Sequence, residues 1–203
     1  MKYIIIGNSA AAVGTVEGIR SVDAEGEIEL FTSEKYHTYS RPLISYLLCG
    51  KTDSANMKYR PDGFYEKNNV KTHFSSTVSK IDAENKTVTA EGKKYSYDRL
   101  MAACGSSPFV PAAEGLEKTG YQTFGSLDDA LKLESKITPE SRVLIIGARL
   151  IGLKCAEGIS GRVKTITVVD MADRVLSSVL DKDAADIVQN HLEKCGLKFY
   201  LSR

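Results

Sequence analysis

The sequence lacks three features that would place it in large classes of protein. Its apolar runs are short, such as 3–6 and 47–49, whereas a membrane-spanning helix needs about 20 apolar residues. Its net charge is only +1, from 27 Lys and Arg against 26 Asp and Glu, which argues against a nucleic-acid binder because phosphate contacts need an excess of cations. Its four cysteines form no C-x-x-C pair, so neither a zinc site nor a redox dithiol is indicated.

The first residues also lack what a secretory signal needs. Lys2 and three isoleucines are followed at once by Gly7-Asn8-Ser9, whereas a signal peptide carries an apolar core of about 7 to 15 residues. We therefore expect a strand at this point, a cytoplasmic protein and reduced cysteines. The 203 residues are 42% hydrophobic and 26% charged, enough for one large domain or two small ones without disulfides.

What the sequence has is an internal repeat. The stretch YIIIGNSAAA at 3–12 resembles VLIIGARLIG at 143–152. Each copy opens with an apolar run typical of a parallel strand buried on both faces, and then turns at a glycine into a helical segment. A second strand follows each copy, at 28–31 and at 166–169. This order predicts an α/β fold with two Rossmann-like dinucleotide-binding units, the second of them truncated.

The residues between the copies have a different pattern. Three short strands with polar turns between them predict an antiparallel meander inserted in the first unit, at 78–81, 86–90 and 93–97. Another buried strand is predicted at 99–103, followed by a linker that contains Pro108 and Gly115. Ser126 is followed by acidic residues, which predicts a helix start.

The two glycine turns are the candidate cofactor sites. A pyrophosphate binds backbone N–H groups at a helix N-terminus, and the G-x-G-x-x-G pattern keeps that approach bare. The three glycine positions hold Gly7, Ser9 and Ala12 in the first copy and Gly147, Arg149 and Gly152 in the second. The Ser9 hydroxyl can add a hydrogen bond to phosphate, whereas Arg149 places a bulky cation at the middle position.

A carboxylate at the end of the second strand normally accepts a ribose hydroxyl. Asp170 stands there in the second copy, and it favours NADH over NADPH because a carboxylate repels a 2′-phosphate. In the first copy Glu34 is the nearest carboxylate, and it is either the ribose ligand or a solvated turn residue.

Four stretches together are specific for a known family. They are 6–11, 39–43, 97–108 and 143–147. On these residues the chain resembles the pyridine nucleotide-disulfide oxidoreductase superfamily, flavoproteins with two dinucleotide-binding domains. Within it the chain is most similar to the branch that contains NADH:rubredoxin reductases and the flavin-binding start of NADH-dependent nitrite reductases.

The resemblance implies that residues 1–113 form an FAD domain, without its return segment, and that residues 114–203 form a truncated NAD domain. Arg41-Pro42 matches the segment beside the isoalloxazine ring, and Val78 matches a position whose backbone meets the adenine. The expected FAD ligands are Gly7, Ser9, Ala10, Ala11, Glu34, Arg41, Pro42, Val78, Ala103 and Gly105. The expected NADH ligands are Gly147, Arg149, Ile151, Gly152 and Asp170.

Several side chains near the proposed cofactor sites differ from the family pattern or lie close to the flavin segment. Cys104 stands where the family has threonine, and we expect a small buried residue. Pro42 falls at the place of the single redox cysteine of NADH oxidases, so disulfide reduction is less favoured, and Cys49 is expected to be structural. Lys154 stands where relatives have a glutamate that faces the nicotinamide. A group of tyrosines either stacks on the cofactor or packs with its hydroxyls outward: Tyr36, Tyr39, Tyr46, Tyr59 and Tyr65.

These observations predict an FAD-dependent oxidoreductase that takes hydride from NADH and passes electrons to a protein such as rubredoxin or to a metal centre. The alternative is a non-catalytic dinucleotide-binding fragment of a longer flavoprotein, which Arg149 and the early end of the second unit favour. We expect the strand at 143–146 to present an apolar edge, and we expect the isolated chain to bind FAD poorly and to self-associate.

Overall fold

The computed structural model describes residues Met1–Arg203 and divides the chain into two compact units. The first unit comprises Met1–Ser40 and Ser54–Ser107, and the second comprises Arg41–Asp53 and Pro108–Arg203. No helix of the chain combines the length and the apolar character needed to cross a membrane.

Ten strands and six α-helices make up the two units. The strands are β1 (Lys2–Ile6), β2 (Glu27–Phe31), β3 (Val70–His73), β4 (Val78–Asp82), β5 (Thr87–Ala90), β6 (Lys93–Ser96), β7 (Arg99–Ala102), β8 (Arg142–Ile146), β9 (Thr165–Val169) and β10 (Leu197–Tyr200). The α-helices are α1 (Ala10–Val22), α2 (Ile44–Leu48), α3 (Phe64–Lys67), α4 (Leu127–Lys136), α5 (Leu150–Ile159) and α6 (Lys182–Lys194). Short 3-10 helices lie at Arg41–Leu43 and Leu116–Thr119.

The first unit is built on a parallel sheet in the order β3-β2-β1-β7. Alternation along the strands sends Ile5 and Leu30 to one face, where they pack with Val13 of α1. It sends Ile4 and Phe31 to the other face, where they pack with residues of the β4-β5-β6 meander. Both faces are therefore covered, which explains the apolar residues at Ile4–Ile6 of β1 and at Ile28, Leu30 and Phe31 of β2.

One buried charge interrupts this apolar sheet. Glu29 of β2 is 1% exposed, and its carboxylate contacts Lys2 Nζ at 2.9 Å, His73 Nε2 at 2.7 Å and Lys71 Nζ at 3.3 Å. The His73 ring stacks on Phe31 with 4.2 Å between centroids. Burial by itself would raise the pKa of Glu29, but the hydrogen bonds from these three groups outweigh it and lower the pKa to about 2.

The second unit contains a parallel sheet in the order β10-β9-β8. Helix α5 packs closely on α2: a Cβ added at Gly158 would lie 2.9 Å from the Ser45 carbonyl oxygen. Helix α4 begins at Ser126, whose hydroxyl accepts from the Asp129 N–H while the Asp129 side chain accepts from the Ser126 N–H. The predicted helix start is confirmed as a capping box.

The predicted architecture is confirmed. The strands predicted from apolar runs and the meander occur within one or two residues of their predicted limits, and the meander turn has positive φ at Glu91 and Gly92 (48° and 73°), as a two-residue hairpin requires. Strand β8 forms one edge of the second sheet, and Leu144 and Ile146 on it are 60% and 52% exposed.

Candidate functional site

The first glycine turn follows β1 and is held by backbone contacts. Gly7 has φ of +117° and donates its N–H to the Phe31 carbonyl oxygen at 2.8 Å. A Cβ placed on Gly7 would lie 2.0 Å from the Ala103 carbonyl oxygen, a separation that no side chain can adopt. Only glycine therefore allows the end of β1 to approach the end of β7 this closely.

The turn delivers the chain to the N-terminus of α1. Ser9 is the N-cap residue, and its hydroxyl caps no backbone N–H. The first helical hydrogen bond runs from the Val13 N–H to the Ser9 carbonyl oxygen at 3.0 Å, so the preceding N–H groups have no partner within the helix. Ala10 and Ala11 are exposed and carry only methyl groups. This end of α1 fits a pyrophosphate, because donors and helix dipole are accessible without a bulky side chain.

The other predicted FAD ligands are distributed over the two compact units. Glu34 accepts the Tyr39 hydroxyl at 2.7 Å, so it is not a simple solvated turn residue. Val78 begins β4 and packs at the meander core, and Ala103 donates its N–H to Ile6 at 2.7 Å. Gly105 is exposed with φ of +68°. Arg41 donates to the Gly125 carbonyl oxygen at 2.8 Å; it and the exposed Pro42 belong to the second compact unit.

The second glycine turn has the same backbone plan. Gly147 has φ of +112° and donates its N–H to the Val169 carbonyl oxygen at 2.8 Å. A Cβ placed on Gly152 would lie 2.1 Å from the Gly147 carbonyl oxygen, so Gly152 allows α5 to approach the turn. Arg149 is the exposed N-cap residue of α5, and its side chain caps no N–H. The neighbouring Ile151 is 59% exposed.

Asp170 lies beside this second turn. One carboxylate oxygen accepts the Ala148 N–H at 2.6 Å, and the other accepts the Ala172 N–H at 2.7 Å. The structure therefore brings Asp170 and the Gly147-Ala148 turn together, as the motif predicts. It also shows a role that the sequence does not reveal, because Asp170 ties the turn to the residues that follow β9.

Lys154 of α5 lies in a small cluster with Glu157 of the same helix, Tyr46 of α2 and Lys51, which follows α2. Its ammonium group donates to Glu157 and lies 4.5 Å from the centroid of the Tyr46 ring, while Lys51 lies 3.7 Å from Glu157. The hydrogen bond from Lys154 lowers the pKa of Glu157. The cation that replaces the family glutamate is thus paired with a carboxylate one turn further along the helix.

The structure contradicts one sequence expectation and excludes one of the two alternatives for two tyrosines. Cys104 is exposed, not buried; Ala103 takes the buried position against the glycine turn, and the next residue of an extended chain points the opposite way. Tyr65 and Tyr39 do not turn their hydroxyls outward: Tyr65 donates to Asn8 Oδ1 at 2.5 Å, and Tyr39 donates to Glu34. All four cysteines are free thiols.

Comparison with known proteins gives matches over the whole chain. The family described as pyridine nucleotide-disulphide oxidoreductase matches residues 1–203. The epsilon subunit of NADH-dependent phenylglyoxylate dehydrogenase from Aromatoleum evansii is 32% identical over 97% of the chain, and nitrite reductase [NAD(P)H] from Bacillus subtilis is 33% identical over 100% of it. The chain spans 47% and 25% of the lengths of these two relatives.

A solved structure of the same kind also matches. NADH:rubredoxin oxidoreductase from Clostridium acetobutylicum superposes with a TM-score of 0.81 and 27% identity, covering 100% of this chain and 53% of that protein. The predicted fold and the predicted resemblance are both confirmed by these matches.

Proposed function

The chain belongs to the pyridine nucleotide-disulphide oxidoreductase family, and from this premise we propose that it binds FAD and NADH and passes a hydride from NADH to FAD. One observation carries the proposal: a strand, a positive-φ glycine and a helix N-terminus without a side-chain cap occur in this order twice, at Gly7 and at Gly147. We assign FAD to residues 1–113 and NADH to residues 114–203.

The cofactors supply the redox chemistry when they are bound, and the protein supplies binding and orientation. In the first unit the N–H groups of Ala10 and Ala11 and the hydroxyl of Ser9 hold the FAD pyrophosphate. In the second unit the N-terminus of α5 serves the NADH pyrophosphate, and Asp170 favours a ribose hydroxyl over a phosphate. Glu34, Arg41, Pro42, Val78, Ala103 and Gly105 complete the proposed FAD contacts.

We propose that the electrons then leave to a protein or metal-centre acceptor. The matched NADH:rubredoxin oxidoreductase supports a protein acceptor, since its name gives rubredoxin as the redox partner. In the family pattern Pro42 takes the place of a redox cysteine, so no thiol of that segment is available to relay electrons to a disulfide.

Anaerobic stopped-flow absorbance tests the proposal. The chain is saturated with FAD and mixed with NADH, and the flavin absorbance near its visible maximum is expected to fall. Rubredoxin added afterwards is expected to restore it. A bound flavin that stays oxidised in NADH excludes the oxidoreductase activity and leaves the alternative, a non-catalytic dinucleotide-binding fragment.

The position of Arg149 favours the alternative, a non-catalytic dinucleotide-binding fragment. Arg149 is exposed at the N-cap of α5, where the family pattern keeps the turn bare. We expect Arg149→Gly to bind NADH at least tenfold more tightly, since relief of ~1.4 kcal/mol of obstruction corresponds to that factor. Titration calorimetry with NADH measures the change. Equal or weaker binding by the glycine variant would show that Arg149 does not obstruct the turn.

We also propose that the chain self-associates through β8. An edge strand offers unpaired N–H and C=O groups, and here Leu144 and Ile146 add exposed apolar surface. Leu144→Lys is expected to shift the chain towards the monomer in size-exclusion chromatography with light scattering. Leu131→Lys, at a leucine exposed on α4, is the matched control and should leave the oligomer unchanged. A wild-type chain that is monomeric throughout contradicts the proposal.

A further inference from the structure

The side chain of Asn8 is held from both ends, within the first glycine turn. Its Nδ2 donates to the Tyr36 carbonyl oxygen at 3.1 Å, and its Oδ1 accepts the Tyr65 hydroxyl at 2.5 Å. The carbonyl at Tyr36 can only accept, so the amide nitrogen must face it and the amide oxygen must face Tyr65. Asn8 therefore connects the turn to two segments distant in sequence.

Tyr65 is the hub of this arrangement. Its hydroxyl donates to Asn8 and accepts the Thr38 N–H at 3.2 Å, so both of its hydrogen-bonding capacities are used. The side chain lies on α3 and is 4% exposed. Its ring contacts His37, Phe64 and Phe74, with centroids 4.8, 5.3 and 5.9 Å away. Burial raises the pKa of the hydroxyl, which stays protonated and able to donate.

We infer that Tyr65 is a positioning residue for FAD, which fixes the Gly7–Ser9 turn by holding the amide of Asn8. This inference rests on the proposed function and deepens it by adding a residue that does not belong to the glycine motif. The physical reason is that a flexible turn must lose conformational entropy when it binds a pyrophosphate, whereas a turn that is already held loses less.

Tyr65→Phe tests the inference, because phenylalanine keeps the ring contacts and removes only the hydroxyl. The change leaves Asn8 Oδ1 and the Thr38 N–H without their partner. We expect the Kd for FAD, measured by quenching of flavin fluorescence, to rise about tenfold, equivalent to ~1.4 kcal/mol. Far-UV circular dichroism should show an unchanged fold.

A double-mutant cycle separates positioning from general stability. Asn8→Ala should weaken FAD binding by a similar factor, and Tyr65→Phe added to Asn8→Ala should weaken it little further, since the two residues act through one hydrogen bond. Tyr3→Phe is the matched control. It removes a tyrosine hydroxyl that donates to Asp23 at 2.9 Å in the same unit, at the opposite end of β1, and should leave the Kd unchanged.

The outcomes are distinct. A Tyr65→Phe chain with wild-type affinity for FAD overturns the inference, as does a Tyr3→Phe chain weakened by the same factor or a pair of substitutions whose effects simply add. A wild-type chain that binds no FAD at all overturns the proposed function and this inference with it. Weaker FAD binding by Tyr65→Phe, with an unchanged Kd in Tyr3→Phe, supports both the proposed function and this inference.

Discussion

Replacing Gly7 by alanine is expected to abolish FAD binding, with a Kd raised by a hundredfold or more. The added Cβ would meet the Ala103 carbonyl oxygen at 2.0 Å, and the backbone φ of +117° is one that alanine rarely adopts. The ends of β1 and β7 must separate to make room, which moves the N-terminus of α1 away from its place. The free energy of unfolding of the first unit should also fall, by more than about 2 kcal/mol.

Fluorescence titration with FAD and urea denaturation measure the two effects. Gly14→Ala is the matched control: it is the same substitution within α1, and its Cβ would meet nothing within 4 Å. Because alanine is the better helix former, this variant should bind FAD as the wild type does and be more stable by up to about 1 kcal/mol. A Gly7→Ala chain that keeps wild-type affinity would show that the first turn is not the FAD site.

Glu29→Gln is expected to destabilise the first unit by about 3 kcal/mol at neutral pH. The pKa of Glu29 is lowered from 4.5 to about 2 in the folded chain, and each unit of that difference is worth ~1.36 kcal/mol. Because the folded-state pKa is the lower one, the contribution is fully present above pH 4.5 and is lost as the pH falls towards 2. Near pH 3 about 2 kcal/mol of it should be gone.

The measurement is urea denaturation at pH 7 and at pH 3, followed by tyrosine fluorescence, since most tyrosines lie in the first unit. The stability difference between wild type and Glu29→Gln should shrink at the lower pH. Glu27→Gln is the matched control on the same strand, because Glu27 is 3.6 Å from the same Lys2 but 56% exposed. It should change stability by less than about 0.5 kcal/mol. An equal difference in stability between wild type and Glu29→Gln at both pH values would show that the ionised Glu29 carboxylate does not stabilise the fold.

The surroundings of the Glu29 carboxylate include a strand that the sequence does not predict. Strands β1 and β8 are predicted by their continuous apolar runs, but the sequence does not predict the edge strand β3 (Val70–His73), because only Val70 in it is apolar. Its polar residues Lys71 and His73 serve Glu29, which lies more than 40 residues earlier in the chain. A strand whose polar residues are satisfied by a buried partner has no periodic signal of its own.

Some residues of the candidate site can be predicted from the sequence, and others cannot. The roles of Gly7 and Gly152 follow from the motif, because close backbone approach needs a residue without a side chain, and the structure supplies the atoms that such a side chain would meet. The contributions of Tyr65 and Asp170 to the turns could not be predicted, since each depends on a contact between residues 57 or 22 positions apart. The only local signal for Tyr65 is its place in a tyrosine-rich region.

Asp170 constrains any attempt to change the proposed coenzyme, NADH, to NADPH. A redesign that removes the carboxylate to admit a 2′-phosphate also removes the acceptor of two backbone N–H groups, at Ala148 and Ala172. The redesigned turn would repel a 2′-phosphate less, but it would also be less ordered. Better acceptance of NADPH would therefore come with a loss in affinity for both coenzymes. Altered selectivity at this position therefore requires a second substitution that restores an acceptor for the Ala148 amide.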